Sequence, residues 1–202
     1  MHRYRVIFAG AVLTAVFAFF VLAWLPQRQL SAVVPMDALQ PYTSEQLAGR
    51  RVYVSNGCLY CHSQQVRDPS FGSDQVRGWG RASYPEDYRY DEPHLLGTMR
   101  TGPDLTNIGV RQPSRAWQYA HLYQPRALVP GSLMPSFRFL FTVKAQADPA
   151  DEVVELPPGA APAGQVVVVT TDARHLVDYL LSLNRNYPRA DARTAAAAGM
   201  PH

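Results

Sequence analysis

Cysteine and lysine are both scarce in this sequence. The 202 residues contain two cysteines and a single lysine, and every other basic residue is an arginine. Two cysteines leave none over for a structural disulfide if both serve one cofactor, and one lysine excludes a lysine-rich docking face. After residue 25 the chain carries 17 basic and 16 acidic residues. A formal charge this close to zero gives no sign of nucleic-acid binding.

The two cysteines lie three positions apart and a histidine follows them directly. Cys58, Cys61 and His62 form a Cys-x-x-Cys-His pattern, in which each thiol can form a thioether with a haem vinyl group and the imidazole can bind the iron. A thioredoxin-like dithiol would need a nearby βαβ pattern, and a zinc site would need a second pair of ligands. The sequence shows neither context. The pattern therefore predicts one covalently bound haem c.

The longest uncharged run lies near the N-terminus. Residues 6–25 carry no charge, and a helix of that length spans about 30 Å, the thickness of the hydrocarbon core. A cleaved signal peptide would have a shorter apolar core of about 7–15 residues and a small-x-small cleavage site. We therefore expect residues 1–25 to form an uncleaved transmembrane signal anchor. Because Arg3 and Arg5 precede the run, the N-terminus is predicted to be cytoplasmic and the rest of the chain external.

The remaining chain divides by composition. Residues 26–41 contain three prolines and are predicted to form a linker. Residues 42–189 are predicted to form a single domain, and residues 190–202 are predicted to be a disordered tail. Two amphipathic helices are predicted in the domain, one capped by Thr43 or Ser44 and the other beginning at Asp172. Gly49 inside the first helix costs about 1 kcal/mol relative to alanine, which is explained if the two helices cross closely.

The middle of the domain contains fewer regular elements. Residues 63–104 show little periodicity and form a longer connection than compact domains normally have, which favours a partner-facing loop. Ser114 is predicted to cap a short helix that ends before Pro125. Two β-like runs, at 152–156 and 166–170, predict a small hairpin inserted at about 144–171.

A second axial ligand for the iron must come from a methionine or another histidine. Met134 lies in the proline-bracketed loop 129–137 (VPGSLMPSF), and the prolines restrict the freedom of that loop. The alternatives are one methionine and three histidines, Met99, His94, His121 and His175. Met134 is the predicted ligand opposite His62. Such a pair leaves no open position at the iron and predicts electron transfer without substrate binding.

Several ordered blocks resemble the mono-haem cytochrome c subunit (FixO-like) of cbb(3)-type cytochrome c oxidases. These blocks are 57–64 (GCLYCHSQ), Arg67, 100–105 (RTGPDL), Trp117, 121–126 (HLYQPR) and 129–137. The resemblance covers about residues 40–140 and, more weakly, the last helix. It implies a class I cytochrome c domain behind a single transmembrane helix. Together with the long loops and the inserted β-hairpin predicted above, this gives a mostly α fold with one small β-hairpin.

The resemblance also implies roles for individual residues. The segment 102–105 is similar to the Gly-Pro-x-Leu turn of class I cytochromes c, in which the proline carbonyl accepts the ring N–H of the ligand histidine. Pro103 is then the hydrogen-bond partner of His62, and Met99 lies on the same side of the haem. Arg100 is a candidate partner for a haem propionate.

The partners that the resemblance implies are membrane proteins of a respiratory complex. They are a catalytic subunit with haem b and a haem–copper centre, and usually a di-haem cytochrome c subunit. Electrons would come from that cytochrome or from a soluble cytochrome c donor. The implied location is the bacterial inner membrane, with the haem domain in the periplasm.

Two other functions are compatible with a membrane-anchored haem domain. One is the small cytochrome c subunit of a nitric oxide reductase, although the RTGPDL and VPGSLMPSF blocks favour the oxidase. The other is a free-standing, membrane-tethered electron carrier. The loop 68–93 and the hairpin at 144–170 depart from the oxidase pattern, so the docking surfaces are not predicted.

Overall fold

The computed structural model describes residues 2–188, mostly as helices with one small antiparallel sheet. The helices are α1 (His2–Phe19), α2 (Leu25–Ser31), α3 (Ser44–Ser55), α4 (Ile108–Arg111), α5 (Arg115–Tyr123), α6 (Pro125–Leu128) and α7 (Thr171–Ser182), and the strands are β1 (Phe141–Lys144) and β2 (Val166–Val169). The chain forms two compact units. Of the described residues, one unit contains 2–39 together with Tyr84–Asp91, and the other contains Gln40–Ser83 and 92–188. The predicted tail at 190–202 lies outside the described residues.

The first unit contains one long apolar helix, Arg3–Ser31, which is long and apolar enough to cross a membrane. It runs six residues beyond the predicted end of the anchor at residue 25, so the first part of the predicted linker is helical. Between α1 and α2 the helix is a π-helix over Phe20–Trp24, and the N–H of Leu25 donates to the carbonyl of Phe20. A proline normally clashes with the carbonyl four residues before it. The wider π turn just before Pro26 allows the helix to continue.

The helix α3 begins with a reciprocal cap. The backbone N–H of Gln46 donates to the Thr43 hydroxyl at 3.3 Å, and the Thr43 N–H donates to the side-chain oxygen of Gln46 at 2.9 Å. Two orphan N–H groups of the first turn are thereby satisfied. The predicted start of this helix at Thr43 or Ser44 is confirmed.

The helices α3 and α7 cross closely in the second unit. A Cβ at Gly49 would overlap the backbone carbonyl of His175 and lie 2.9 Å from the Cβ of Tyr179. Tyr179 is fully buried and packs edge-on against Tyr53, with ring centroids 5.5 Å apart. Its hydroxyl hydrogen-bonds to the Gln64 side chain at 3.1 Å. The close crossing predicted from Gly49 is therefore present.

Replacing Gly49 by alanine should destabilise the protein, although alanine is the better helix former. The added methyl group would overlap backbone at the crossing and force the helices apart, which costs about 1–3 kcal/mol. Thermal unfolding followed by circular dichroism would measure the effect. Gly131→Ala is a matched control, because a Cβ there meets nothing within 4 Å. A Gly49→Ala variant as stable as the control would contradict a close crossing.

The small sheet differs from the predicted hairpin in its first strand. β2 lies where the second run was predicted, but it pairs with β1, in the register Phe141 opposite Val169. The predicted first run, 152–156, lies on the other side of β2 and forms only the isolated bridge Val153–Val168. The packing of Phe141 favours β1 as the partner of β2. Its ring lies edge-on to those of Tyr119 and Tyr123, with ring centroids 6.4 and 5.5 Å apart.

The helix α5 begins at the predicted cap. The N–H of Trp117 donates to the Ser114 hydroxyl at 3.2 Å, and the helix ends at Tyr123, before Pro125. Residues 63–104 are irregular, as expected, apart from a short 3₁₀ turn at Pro85–Tyr88. Within the second unit, a hydrogen bond links the beginning of this stretch to a residue near its end: the N–H of Gln64 donates to the carbonyl of Leu96 at 2.7 Å.

Candidate haem site

One tight turn holds the two cysteines and the histidine together. Gly57 follows α3 with a positive φ of 69° and leads into a 3₁₀ turn over Cys58–Tyr60. A left-handed backbone conformation favours glycine, because a residue with a side chain would be strained there. The N–H groups of Cys61 and His62 both donate to the carbonyl of Cys58, at 3.2 and 3.0 Å. The backbone therefore fixes the relative positions of all three side chains.

The segment 102–105 lies directly against this turn. The N–H of Gly102 donates to the carbonyl of Cys61 at 2.9 Å, and that of Leu105 donates to the carbonyl of Ser63 at 2.8 Å. The Pro103 carbonyl lies 2.7 Å from Nδ1 of His62. Because a carbonyl only accepts, the proton of a neutral ring is on Nδ1, and Nε2 keeps its lone pair.

The His62 ring is held neutral and close to the backbone. Burial lowers the pKa of His62, and the hydrogen bond to Pro103 opposes that shift only in part. A Cβ at Gly102 would lie 2.8 Å from both ring nitrogens, so only glycine allows the backbone to approach the ring this closely. A neutral, oriented imidazole with one available nitrogen is what a haem iron requires of its ligand.

The cysteines suit thioether bonds better than thiolate coordination. Burial raises the pKa of the Cys58 thiol to about 11, so this sulfur stays protonated, whereas metal binding requires a thiolate. The Cys61 side chain is exposed. Within residues 2–188, no group of three or more histidine, cysteine and acidic side chains could hold a metal ion. These residues fit a covalently attached haem.

A buried carboxylate supports the histidine turn from behind. Asp104 is fully buried and accepts hydrogen bonds from the Ser63 hydroxyl at 2.6 Å and from the N–H groups of Gln65 and Thr106 at 2.8 Å. Three charge-assisted bonds of this kind hold the loop rigid. Because Asp104 follows Pro103 directly, this network also fixes the carbonyl that faces His62.

Arg100 belongs to the same network. Its guanidinium donates to the Ser63 hydroxyl at 3.0 Å and to the carbonyl of Gln65 at 2.6 Å, and it forms a close ion pair with Asp74. Burial would raise the pKa of Asp74, but hydrogen bonds from Arg100 and the Arg67 N–H lower it below its usual value. Three donors of Arg100 are therefore engaged with protein groups.

Met134 lies in a loop fastened to the end of α5. The N–H of Phe137 donates to the carbonyl of Leu122 at 2.9 Å, and the Ser136 hydroxyl donates to the Gln124 side chain at 2.8 Å. The Met134 side chain is half-buried and packs against the same core as Cys58. Met99, in contrast, is 59% exposed.

The three other candidate histidines have different surroundings. His94 is exposed, and His175 is half-buried on α7. His121 is also half-buried and stacks on Trp117, with ring centroids 4.4 Å apart and planes 10° apart. Burial lowers the pKa of His121 below its usual value.

The polar groups that support the site could not be identified from the sequence. No role was predicted for Asp104, Ser63 or Asp74, although Ser63 and Asp104 directly follow His62 and Pro103. A buried carboxylate can be recognised in the sequence only if its hydrogen-bond donors are known. Two donors to Asp104, the Ser63 hydroxyl and the Gln65 N–H, lie about 40 positions before it in the sequence. For His121, the spacing of four residues from Trp117 on one helix was the available signal.

A protein-family model matches most of the chain. The family model described as cytochrome c oxidase, mono-heme subunit/FixO matches residues 1–157. No curated protein matches the chain. The matched region includes the apolar helix, the Cys-x-x-Cys-His turn, the Pro103 segment and the Met134 loop, while β2 and α7 lie beyond it.

Proposed function

Because the chain belongs to the FixO family of mono-haem cytochrome c oxidase subunits, we propose that it is the electron-transfer subunit of a cbb(3)-type terminal oxidase. It relays electrons from a c-type cytochrome donor to the catalytic, oxygen-reducing subunit. The contact between His62 and Pro103, 2.7 Å long and adjacent to the two cysteines, is the observation that carries this proposal. A bound haem c supplies one-electron transfer.

The residues of the turn would hold the haem on one side. Cys58 and Cys61 would be the covalent attachment points, and His62 would offer Nε2 to the iron. The Pro103 carbonyl accepts the Nδ1 proton, which keeps the ring oriented and makes it a stronger donor. Asp104 and Arg100 stabilise this loop, and the remaining N–H groups of Arg100 are candidates for a propionate contact.

Met134 would hold the other side. Its loop is fastened to α5, so the thioether is positioned with little loss of conformational entropy on binding. Together with His62, Met134 would raise the potential of the haem relative to a pair of histidines and would leave no position at the iron for a substrate. The chain therefore carries electrons without binding a substrate at the iron. The crossing of α3 and α7 directly before the haem turn supports a class I cytochrome c arrangement for this domain.

The apolar helix would anchor the domain to the bacterial inner membrane. Arg3–Ser31 contains 29 residues, a length of about 44 Å at 1.5 Å per residue, which is enough to cross the hydrocarbon core. Arg3 and Arg5 favour a cytoplasmic N-terminus. The haem domain then lies in the periplasm, where it can meet a di-haem cytochrome c subunit or a soluble donor.

The proposal can be tested by isolating the tagged full-length chain in mild detergent. We expect a b-type haem and copper to co-purify with it, because the catalytic subunit carries both. A mock purification from untagged cells is the control for carry-over. Recovery of the chain with its own haem c alone would favour a free-standing tethered carrier and contradict an oxidase subunit. Co-purification of b-type haem with non-haem iron in place of copper would favour a nitric oxide reductase.

Replacing Gly102 by alanine should disturb the ligand histidine without removing it. The new methyl group would meet both ring nitrogens of His62 at 2.8 Å, so the ring must move and its bond to Pro103 must weaken. We expect a mixture of low-spin and high-spin iron in the electron paramagnetic resonance spectrum. Gly10→Ala, a change in the apolar helix with open space around it, should leave the spectrum unchanged. A fully low-spin Gly102→Ala protein would show that the ring is not confined by this contact.

A further inference from the structure

Arg111 is a half-buried cation that lacks an anionic partner. Its Nη2 donates to the backbone carbonyl of Asp104, and no carboxylate within residues 2–188 forms an ion pair with it. Burial lowers the pKa of Arg111, and the charge of Asp104 opposes that shift only in part. Nε is inaccessible to solvent and has no hydrogen-bond partner among the same residues, which costs about 1–3 kcal/mol. A guanidinium held in place at such a cost is expected to serve an anion that the polypeptide itself does not supply.

Contacts within the second unit place this guanidinium beside the histidine turn. The Pro103 carbonyl lies 2.7 Å from Nδ1 of His62. The next carbonyl along the chain, that of Asp104, accepts the hydrogen bond from Arg111. Two successive residues therefore hold the imidazole and the guanidinium. A haem attached at this turn would have its edge close to the same segment, and its propionates are flexible carboxylate arms on that edge.

Helix packing fixes the backbone of Arg111, which is the last residue of α4. The N–H of Gly109 donates to the carbonyl of Leu183 at 3.0 Å, and a Cβ at Gly109 would overlap the carbonyl of Leu181. The N–H of Arg111 donates to the carbonyl of Asn107 at 3.0 Å. Because α4 lies directly against the end of α7, the guanidinium is positioned before any ligand binds, and little conformational entropy is lost on binding.

A haem propionate is the anion that this position can receive. We infer that Arg111 binds a haem propionate through Nη1, which has no partner within residues 2–188 and is open to solvent. This inference rests on the haem attachment proposed above. A hydrogen bond between a guanidinium and a carboxylate is charge-assisted and therefore strong. The pairing would offset the negative charge of the propionate near the iron and so favour the reduced haem.

Arg100 is less available for the same contact. Its charge is offset by the ion pair with Asp74, and a carboxylate oxygen of Asp104 lies 4.0 Å from its Nη2. The Trp79 ring covers one face of the guanidinium, 5.2 Å from its central carbon. A propionate at Arg100 would compete with Asp74, whereas Arg111 has no described anion to release.

The test compares Arg111→Gln and Arg111→Lys with the unmodified full-length protein in its detergent-solubilised complex. The haem is held covalently, so it stays in place when the propionate contact is lost. In Arg111→Gln we expect a shift of the propionate bending mode of haem c in the resonance Raman spectrum. We also expect a lower haem c potential, because an uncompensated negative charge stabilises ferric iron. Arg111→Lys should shift the mode as well, since an ammonium group replaces the planar fork, but it should retain most of the potential because it keeps the charge.

Arg174→Gln is the matched control. It removes a guanidinium that is paired with Glu152 at 2.9 Å, so it should change neither the propionate mode nor the potential. An unshifted mode in Arg111→Gln would overturn the inference, and an unshifted mode in Arg111→Lys would do so if the glutamine variant does not fold. An equal fall in potential in Arg174→Gln would also overturn it, because the effect would then be one of net charge. Absence of covalent haem in the unmodified protein would instead contradict the attachment site on which the inference rests.

Discussion

Replacing Met134 by alanine should abolish the sulfur-to-iron absorption band near the red end of the oxidised spectrum. The band requires a thioether bound to ferric haem, and Met134 is the half-buried methionine that packs against the same core as Cys58. Loss of this ligand should also lower the haem potential substantially, because a methionine opposite histidine raises it. Optical spectroscopy and a redox titration of the purified variant would measure the two effects.

Met99→Ala is the matched control for this experiment. Met99 is 59% exposed, so its removal should change neither the band nor the potential. If the band survives in Met134→Ala and disappears in Met99→Ala, then Met99 is the ligand. The histidine side of the site would be unaffected by that result.

Replacing Cys58 by serine should remove most of the covalently retained haem. Cys58 begins the 3₁₀ turn that also fixes Cys61 and His62, and a serine hydroxyl does not form a thioether with a vinyl group. The remaining Cys61 could form one bond at most. Haem-stained denaturing gels and the intact mass of the chain would measure the loss.

Tyr60→Phe is the control for folding of the turn. Tyr60 lies within the same turn and its side chain is 71% exposed, so the change should leave haem attachment intact. The double variant Cys58→Ser/Cys61→Ser defines the level expected without any thioether. Native haem content in Cys58→Ser would contradict its role as an attachment point.

The helices α3, α5 and α7 could be predicted from the sequence because their determinants are local. Thr43 and Ser114 cap their own first turns, and the apolar residues of α7 recur with helical spacing. Gly49 even indicated a tertiary feature, because a glycine inside a helix has few explanations besides a close approach. The signals for the haem turn are equally local, since they lie within five consecutive residues.

Features that depend on distant partners could not be predicted. The strand that pairs with β2 was misplaced, because its choice depends on the packing of Phe141 against Tyr119 and Tyr123. The continuation of the first helix past Pro26 was not predicted either, although the π turn that allows it is local. The buried network around Asp104 brings together residues from separate parts of the chain, which no periodicity reveals.

The predicted roles of the site residues differ in how the structure bears on them. The Pro103 carbonyl lies beside the His62 ring at hydrogen-bond distance, which is the geometry that the resemblance implies. Arg100 lies in a network with Asp74, Ser63 and Gln65, so its contact with a propionate stays a prediction. Met134 as the second ligand also stays a prediction until a spectrum is recorded.

The haem content of the purified chain tests the central claim most directly. Acid–acetone extraction removes haem that is not covalently bound, and the pyridine haemochrome spectrum of the residue then measures haem c. The FixO family is a mono-haem family, so we expect one haem c per chain to resist extraction. Complete release of the haem into the extract, or a chain with no haem c at all, would contradict the assignment of Cys58, Cys61 and His62 as a haem attachment site.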